Sequence, residues 1–243
     1  MTLPARTHLD IDARLRAIAA TPLFNAWPEA ALRRLARASR VSTHRPGSLV
    51  IESARRCIAL TLVVEGAVQA SVTAAGGRRI TFKVGSSGGV YGLLPMFDRR
   101  EMASDLIAVD RVAALVIPYA AIRAELARAP ELWESVAVDA ATRARGYTDQ
   151  MKRFLFDEPR VRMAASLVSL AHGSARCEDG TVVIGVHLPQ ERLAELLGIS
   201  RQWATGLVRE MCRSGLIRWR YGRVTVLDLE GLKAIARSSV NVS

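Results

Sequence analysis

From Gly198 to Arg223 the sequence carries six arginines, Arg201, Arg209, Arg213, Arg218, Arg220 and Arg223, against the single acid Glu210, a net charge of +5. A guanidinium offers paired donors in a rigid fork that fits two phosphate oxygens, or O6 and N7 on the major-groove edge of guanine. The neighbouring residues say how such a set would be held. Leu188-Pro189-Gln190 opens a helix whose apolar positions Leu193, Leu196 and Leu197 end at Gly198, a residue suited to the left-handed turn that stops a helix. Ser200 is placed to cap a second helix running to about Ser214. Ala204, Leu207, Val208 and Met211 face in, and Arg201, Gln202, Thr205, Arg209 and Arg213 face out. Two helices joined by a tight glycine turn make a helix-turn-helix, whose second helix lies in the major groove of double-stranded DNA. Gly215-Leu216-Ile217 closes the pair. Arg218-Trp219-Arg220, Tyr221-Gly222 and Arg223-Val224-Thr225-Val226 then alternate about a glycine turn as the β-hairpin of a wing does. DNA is the expected partner; the competing reading is a solvated helix and hairpin whose arginines serve solubility.

Other chemistry finds little support. Cys57, Cys177 and Cys212 are widely spaced and odd in number, which fits reduced thiols, and no close pair offers the soft ligands of a zinc site or an iron-sulfur cluster. No metal is expected. His8, His44, His172 and His187 stand apart from one another and from carboxylates at HExxH spacing, though haem ligation by a single histidine stays open. Paired carboxylates, a GxSxG turn, a P-loop and a Cys-His arrangement are all lacking, so no catalytic residue is assigned and an enzyme is not expected.

The elements around this segment follow from composition and periodicity. The 243 residues include 34 lysines and arginines, of which only Lys83, Lys152 and Lys233 are lysines, and 23 acids, for a net +11. Half are hydrophobic and 23% charged, enough to bury a core, and the length suits two modest domains. Residues 10–20 and 28–38 read as short helices. Short β-rich runs follow at 48–51, 60–64, 68–72, 80–84 and 113–117. Gly47, Gly66, Gly76-Gly77, Gly85, Gly88-Gly89 and Gly92 punctuate them, the pattern of an antiparallel roll. Ala120 to Arg128 is helical, and from Pro130 an unbroken stretch to about Phe156 repeats Leu132, Val136, Ala140, Ala144, Tyr147, Met151 and Leu155 at three- or four-residue intervals. A helix of some 26 residues would be about 39 Å long, which suits the seam of a homodimer; lying across its own roll is the alternative. Asp157-Glu158-Pro159 reads as a break. Beyond it Arg160 to His172 forms a helix with Val161, Ala164, Leu167, Val168 and Ala171 inward, before a loop at Gly173–Gly180 and a strand at Val182–Val186. The expected division is 1–130, 131–157 and 158–243. No apolar run reaches the length of a membrane span and Met1 to Asp12 lacks a signal core, so the cytoplasm is expected, with no membrane partner.

Three stretches carry a resemblance: Val63-Val64-Glu65-Gly66-Ala67-Val68, Tyr91-Gly92-Leu93-Leu94-Pro95-Met96-Phe97, and Leu193-Ala194-Glu195-Leu196-Leu197-Gly198-Ile199-Ser200-Arg201-Gln202. From about Leu23 to Val226 the chain resembles the CRP/FNR family, the bacterial transcription regulators related to the cyclic-AMP receptor protein and FNR. The resemblance implies an α+β fold made of an N-terminal cyclic-nucleotide-binding-type β-roll (jelly roll), a long dimerisation helix and a C-terminal winged helix-turn-helix. It also implies a homodimer that works on DNA with RNA polymerase. Arg201 falls where the family reads guanine, Gln190 and Arg209 where it contacts phosphate, and Ser200 near the backbone. Thr205, Arg213, Arg220 and Arg223 complete the expected DNA-facing set with Gln202. Gln202 replaces a common glutamate and prefers adenine to cytosine, while Gly206 replaces a common arginine, so the usual half-site is not expected. Trp203 is expected to pack at the junction of helix and wing, a thymine-methyl contact being the other reading.

Nucleotide-binding members use a Gly-Glu-Leu glutamate for the ribose and an Arg-Ser pair for the cyclic phosphate; here the segments read Gly92-Leu93-Leu94 and Ala103-Ser104. A buried phosphate without a cation is costly, so weak or no cyclic-AMP binding is expected, with Arg99 and Arg100 nearby in sequence as the substitutes to consider. Thr148 falls where the family reaches the nucleotide base. Gly92, Leu93, Leu94, Ser104 and Thr148 are therefore the candidate effector residues for an unknown effector. The cysteine spacing of oxygen-sensing FNR relatives is absent, and haem in the roll stays open.

Overall fold

A computed structural model describes residues 9–53, 55–73, 75, 79–171, 175–177 and 180–238. His8, His172, the Gly76-Gly77 turn and Gly173 lie outside the described residues. The chain forms two compact units, one made of residues up to Val68 with Gly85–Arg145, the other of Gln69–Val84 with residues from Gly146 onward.

The first unit opens with α1 (Ile11–Ala19), capped by the Asp10 carboxylate, which accepts from Ala13 N at 2.7 Å, and α2 (Glu29–Ala38). Strands β1 (Arg40–His44), β2 (Leu49–Ile51) and β3 (Ala59–Glu65) follow. The hairpin strands β4 (Val68–Thr73) and β5 (Arg79–Gly85) belong mostly to the second unit. Then come β6 (Val90–Tyr91), α3 (Leu93–Asp98), β7 (Asp105–Ala108), β8 (Val112–Pro118), α4 (Tyr119–Arg128) and a 3-10 turn at Pro130–Leu132. One antiparallel sheet runs β1-β8-β3-β6, with Leu62 opposite Leu115 and Arg40 opposite Val116; β2 pairs with β7. Alternation along β3 and β8 turns Leu60, Leu62, Leu115 and Ile117 into the core, where they join Phe24, Leu35, Met96, Ile122 and Leu126. Glu125 is buried under this layer with both carboxylate oxygens bonded to Arg34, at 2.8 and 2.7 Å, and Arg128 2.6 Å away.

Strands β1, β6 and β7 and helix α3 were not among the elements expected: Arg40–His44 is mostly polar, while Val90–Tyr91 and Asp105–Ala108 are too short for an alternation to show. The long helix α5 is Trp133–Phe156, 24 residues, preceded by the 3-10 turn instead of running on from Pro130. Leu132 and Val136 are buried in the first unit's core, and Trp27 Nε1 donates to Ser135 Oγ at 2.8 Å to fix the helix start. Farther along, Tyr147, Met151 and Leu155 are exposed, so the apolar stripe is dry only at its N-terminal end.

The second unit contains α6 (Pro159–Ala171), β9 (Ala175–Arg176), β10 (Val182–Val183), α7 (Gln190–Leu197), α8 (Arg201–Arg213), β11 (Ile217–Arg220), β12 (Arg223–Val226) and α9 (Leu229–Arg237). Its sheet order is β11-β12-β10-β9, all antiparallel. Met163 is buried in α6 where Val168, only half-buried, was expected to be, and the strand expected over Val182–Val186 stops at Val183. Strand β9 falls inside the expected loop, and α9, capped by the Asp228 carboxylate on Gly231 N at 2.8 Å, packs on α6 without having been expected. The β4–β5 hairpin is tied into this unit by the Gln150 side-chain amide, which donates to Phe82 O, and by Thr81 Oγ1, which donates to Glu195 Oε2 at 3.1 Å.

Candidate nucleic-acid interface

Helix α7 ends where Gly198 takes φ +67°, and a Cβ there would stand 2.7 Å from Phe154 Cε2; both backbone and space require glycine. Ile199 and Ser200 complete the turn. The Ser200 hydroxyl accepts from Trp203 N at 3.2 Å and so starts α8. Ala204, Leu207, Val208 and Met211 are buried, as the periodicity requires, and α8 packs on α7, whose Leu193 and Leu197 are buried too. What remains on the outside of α8 is Arg201, Gln202, Trp203, Gly206, Arg209 and Arg213, all exposed.

The turn itself is braced from behind. Arg162 on α6 donates to Asp157 O at 2.8 Å, Phe154 O at 3.3 Å and Leu197 O at 2.9 Å, with its guanidinium 5.2 Å over the Phe154 ring. Burial pushes the Arg162 pKa below the usual guanidinium value, with the Asp157 charge opposing that shift. The arginine thereby links the end of α5 to the end of α7.

The wing is the hairpin β11–β12, with Ile217 opposite Val226 and Arg220 opposite Arg223. Tyr221 and Gly222 both have positive φ, +49° and +75°, as a two-residue type I′ turn demands. Leu188 N donates to Gly222 O at 2.7 Å and the His187 ring bonds Tyr221 O at 3.0 Å, so the wing turn is fastened to the segment leading into α7. Between wing and helices lies a groove of about 390 Å3 lined by Gln190, Glu191, Arg201, Trp219 and Tyr221.

The expected DNA-facing residues come together on this edge, with differing freedom. Arg201, Gln202, Arg209, Arg213, Arg220 and Arg223 are exposed, and Ser200 sits at the start of α8. Gln190 and Thr205 are half-buried and bonded to each other: the Thr205 hydroxyl donates to Gln190 Oε1 at 2.7 Å, with Arg201 O its alternative acceptor at 2.9 Å. The one acid, Glu210, is paired with Arg160 at 2.9 Å. Among the described residues none of the six interface arginines is paired with a carboxylate, so their charge faces outward. Trp203, expected at the junction of helix and wing, is 55% exposed on the outside of α8. Tyr221, 96% exposed at the wing tip, was not singled out as a site residue; its place beside Gly222 was the available signal.

The Crp-like helix-turn-helix domain family matches residues 161–235, and the cyclic nucleotide-binding domain family matches residues 41–129. The chain is 26% identical over 178 residues to a CRP-like cAMP-activated global transcriptional regulator of Mycobacterium tuberculosis, covering 73% of this chain and 80% of that one. It is 28% identical over 177 residues to the transcriptional regulator SdrP of Thermus thermophilus, covering 72% and 83%. Among solved structures, a CRP/FNR-family regulator from Thermus thermophilus superposes with a TM-score of 0.65 at 25% identity, covering 82% of this chain and 99% of that one. FixK2 of Bradyrhizobium japonicum, at 13% identity, shares the fold with a TM-score of 0.71, covering 81% and 96%. Fold and interface define a winged helix-turn-helix regulator with a sensor domain of the nucleotide-binding type. The chain belongs to the CRP/FNR family of transcription regulators.

The candidate effector residues differ in burial and bring no buried cation with them. Gly92 sits against Cys57 and Tyr119, whose hydroxyl donates to Gly92 O, and Leu93 is 4% exposed within the core. Leu94 is exposed and Ser104 is buried, while Thr148 is exposed in the second unit. Arg99 and Arg100, the nearby substitutes, are both exposed, and among the described residues no lysine or arginine is buried. A cyclic phosphate taken out of water needs a placed cation, so these residues do not fit one.

Proposed function

We propose that the protein is a homodimer that regulates transcription by binding a two-fold-symmetric DNA site, with α8 of each copy in a major groove. Arg201 reads guanine and Gln202 adenine, while Gln190, Ser200, Thr205, Arg209, Arg213, Arg220 and Arg223 hold the phosphate backbone. The observation that carries this is charge placed without a partner: six exposed arginines on the helix-turn-helix and wing, with Glu210 already neutralised by Arg160. Residues 1–130 form the sensor, 131–157 the dimer helix and hinge, and 158–243 the DNA-binding part. The sensor does not take cyclic AMP in the usual way, because leucine and alanine stand where the family has its glutamate and arginine. RNA polymerase is the further partner, the cytoplasm the location, and no catalysis is involved.

Sequences selected by the ligand-free protein from a random duplex pool test this. A palindrome should emerge, with binding that weakens steeply as salt rises and is lost on Arg201→Ala, an exposed substitution that leaves the fold intact. Salt-insensitive or sequence-blind binding would instead favour an interaction module whose basic wing docks a protein.

A further inference from the structure

We infer that Trp203 is a specificity-determining residue that reads the C5 methyl of a thymine in each half-site; the inference rests on the DNA-binding function proposed above. Trp203 is the third residue of α8, and its backbone N–H is held by Ser200 Oγ at 3.2 Å, so its position on the helix is fixed. Its side chain is nonetheless 55% exposed, and among the described residues the indole has no hydrogen-bond partner or ring contact. The core beneath α8 is complete without it, filled by Ala204, Leu207, Val208 and Met211. A large apolar ring left outside in this way suits contact with something apolar.

The surroundings narrow what that is. Gly206 lies one turn further along the same side, and nothing stands within 4 Å of where its Cβ would be, so the indole has bare helix beside it. Glu210, the next residue along that edge, is occupied by Arg160. Residues at the N-terminus of the second helix of a helix-turn-helix reach base edges, and the one apolar feature those edges present in the major groove is the thymine methyl. Gln202, adjacent in sequence, has the donor and acceptor pair that suits adenine, which places a thymine on the opposite strand of the same base pair.

Replacing each thymine of a selected half-site by deoxyuridine deletes only the methyl and tests the assignment. With the wild-type protein, one thymine per half-site should matter: uracil there weakens binding about fourfold, or about 15-fold when both half-sites are changed, the factor expected for exposing one methyl-sized group. Trp203→Ala should bind thymine and uracil sites equally, with an unchanged thermal melt. Uracil without effect at every position, or an uracil penalty that survives in Trp203→Ala, would overturn the role of Trp203 while leaving DNA binding intact. A wild-type protein that binds no duplex would overturn both.

Discussion

Glu125 shows how one residue can tie two helices of the sensor unit together. Its carboxylate is buried on α4, bridges to Arg34 on α2 through two bonds, and accepts from Arg128 one turn on. The Arg34 hydrogen bond, ahead of the opposing desolvation, holds the Glu125 pKa below the usual carboxylate range. A carboxyl whose pKa is lower folded than unfolded contributes stability that is fully present above its unfolded pKa and lost as pH falls through the folded one. Glu125→Gln should therefore cost about 2 kcal/mol at neutral pH, the worth of charge-assisted bonds at a buried site after allowing for the exposed arginine ends. That cost should shrink below the ordinary glutamate range. Urea unfolding of both proteins at neutral and at acid pH measures it; a cost that does not change with pH would mean that shape, not charge, is what Glu125 supplies.

At the scale of elements, the wing shows local conformation set against sequence. The turn requires positive φ at both central residues, but the first is Tyr221, at +49°, and an L-residue other than asparagine or glycine pays for that region. Tyr221→Asn should stabilise the DNA-binding unit by about 0.5 kcal/mol in denaturant unfolding. A loss of stability would contradict the type I′ turn. The hairpin was legible because Arg218–Arg220 and Arg223–Val226 alternate about a glycine, and α7 and α8 because Leu193, Leu197, Ala204, Leu207, Val208 and Met211 keep the helical period between Gly198 and Ser200. Helix α9 escaped notice because Gly231 sits inside it and only Leu232 is deeply buried. Strand β1 escaped because its side chains are exposed or half-buried, leaving no alternation to read. Trp203 was less legible, since a tryptophan in an amphipathic helix suggests packing, whereas here it is 55% exposed and Ala204, Leu207, Val208 and Met211 are the buried residues of α8. The basic edge was plain in the sequence, whereas the Arg162 brace was not, since its three acceptors are backbone carbonyls spread from Phe154 to Leu197.

For the whole molecule, the decisive feature is what α5 leaves uncovered. Tyr147, Met151 and Leu155 recur at four-residue intervals on one side of the helix and are exposed, while Leu132 and Val136 near its start are buried. Burying a Met or Leu side chain is worth about 1.5 to 3 kcal/mol, so a second copy of the helix laid along this stripe recovers several kcal/mol from each chain. In the proposed dimer the same seam sets DNA affinity, because once one α8 is seated the other is held at high effective concentration over its half-site. Met151→Glu combined with Leu155→Glu puts like charges into the seam without touching the interface arginines. The double variant should sediment as a monomer, bind the palindrome at least about 100-fold more weakly, and keep its affinity for an isolated half-site. Its dependence of log affinity on log salt should fall to about half the wild-type slope, since half as many phosphates are neutralised per complex. A variant that still sediments as a dimer would move the seam elsewhere on the molecule. One that is monomeric yet binds the palindrome as tightly as wild type would show that the two half-sites are read independently.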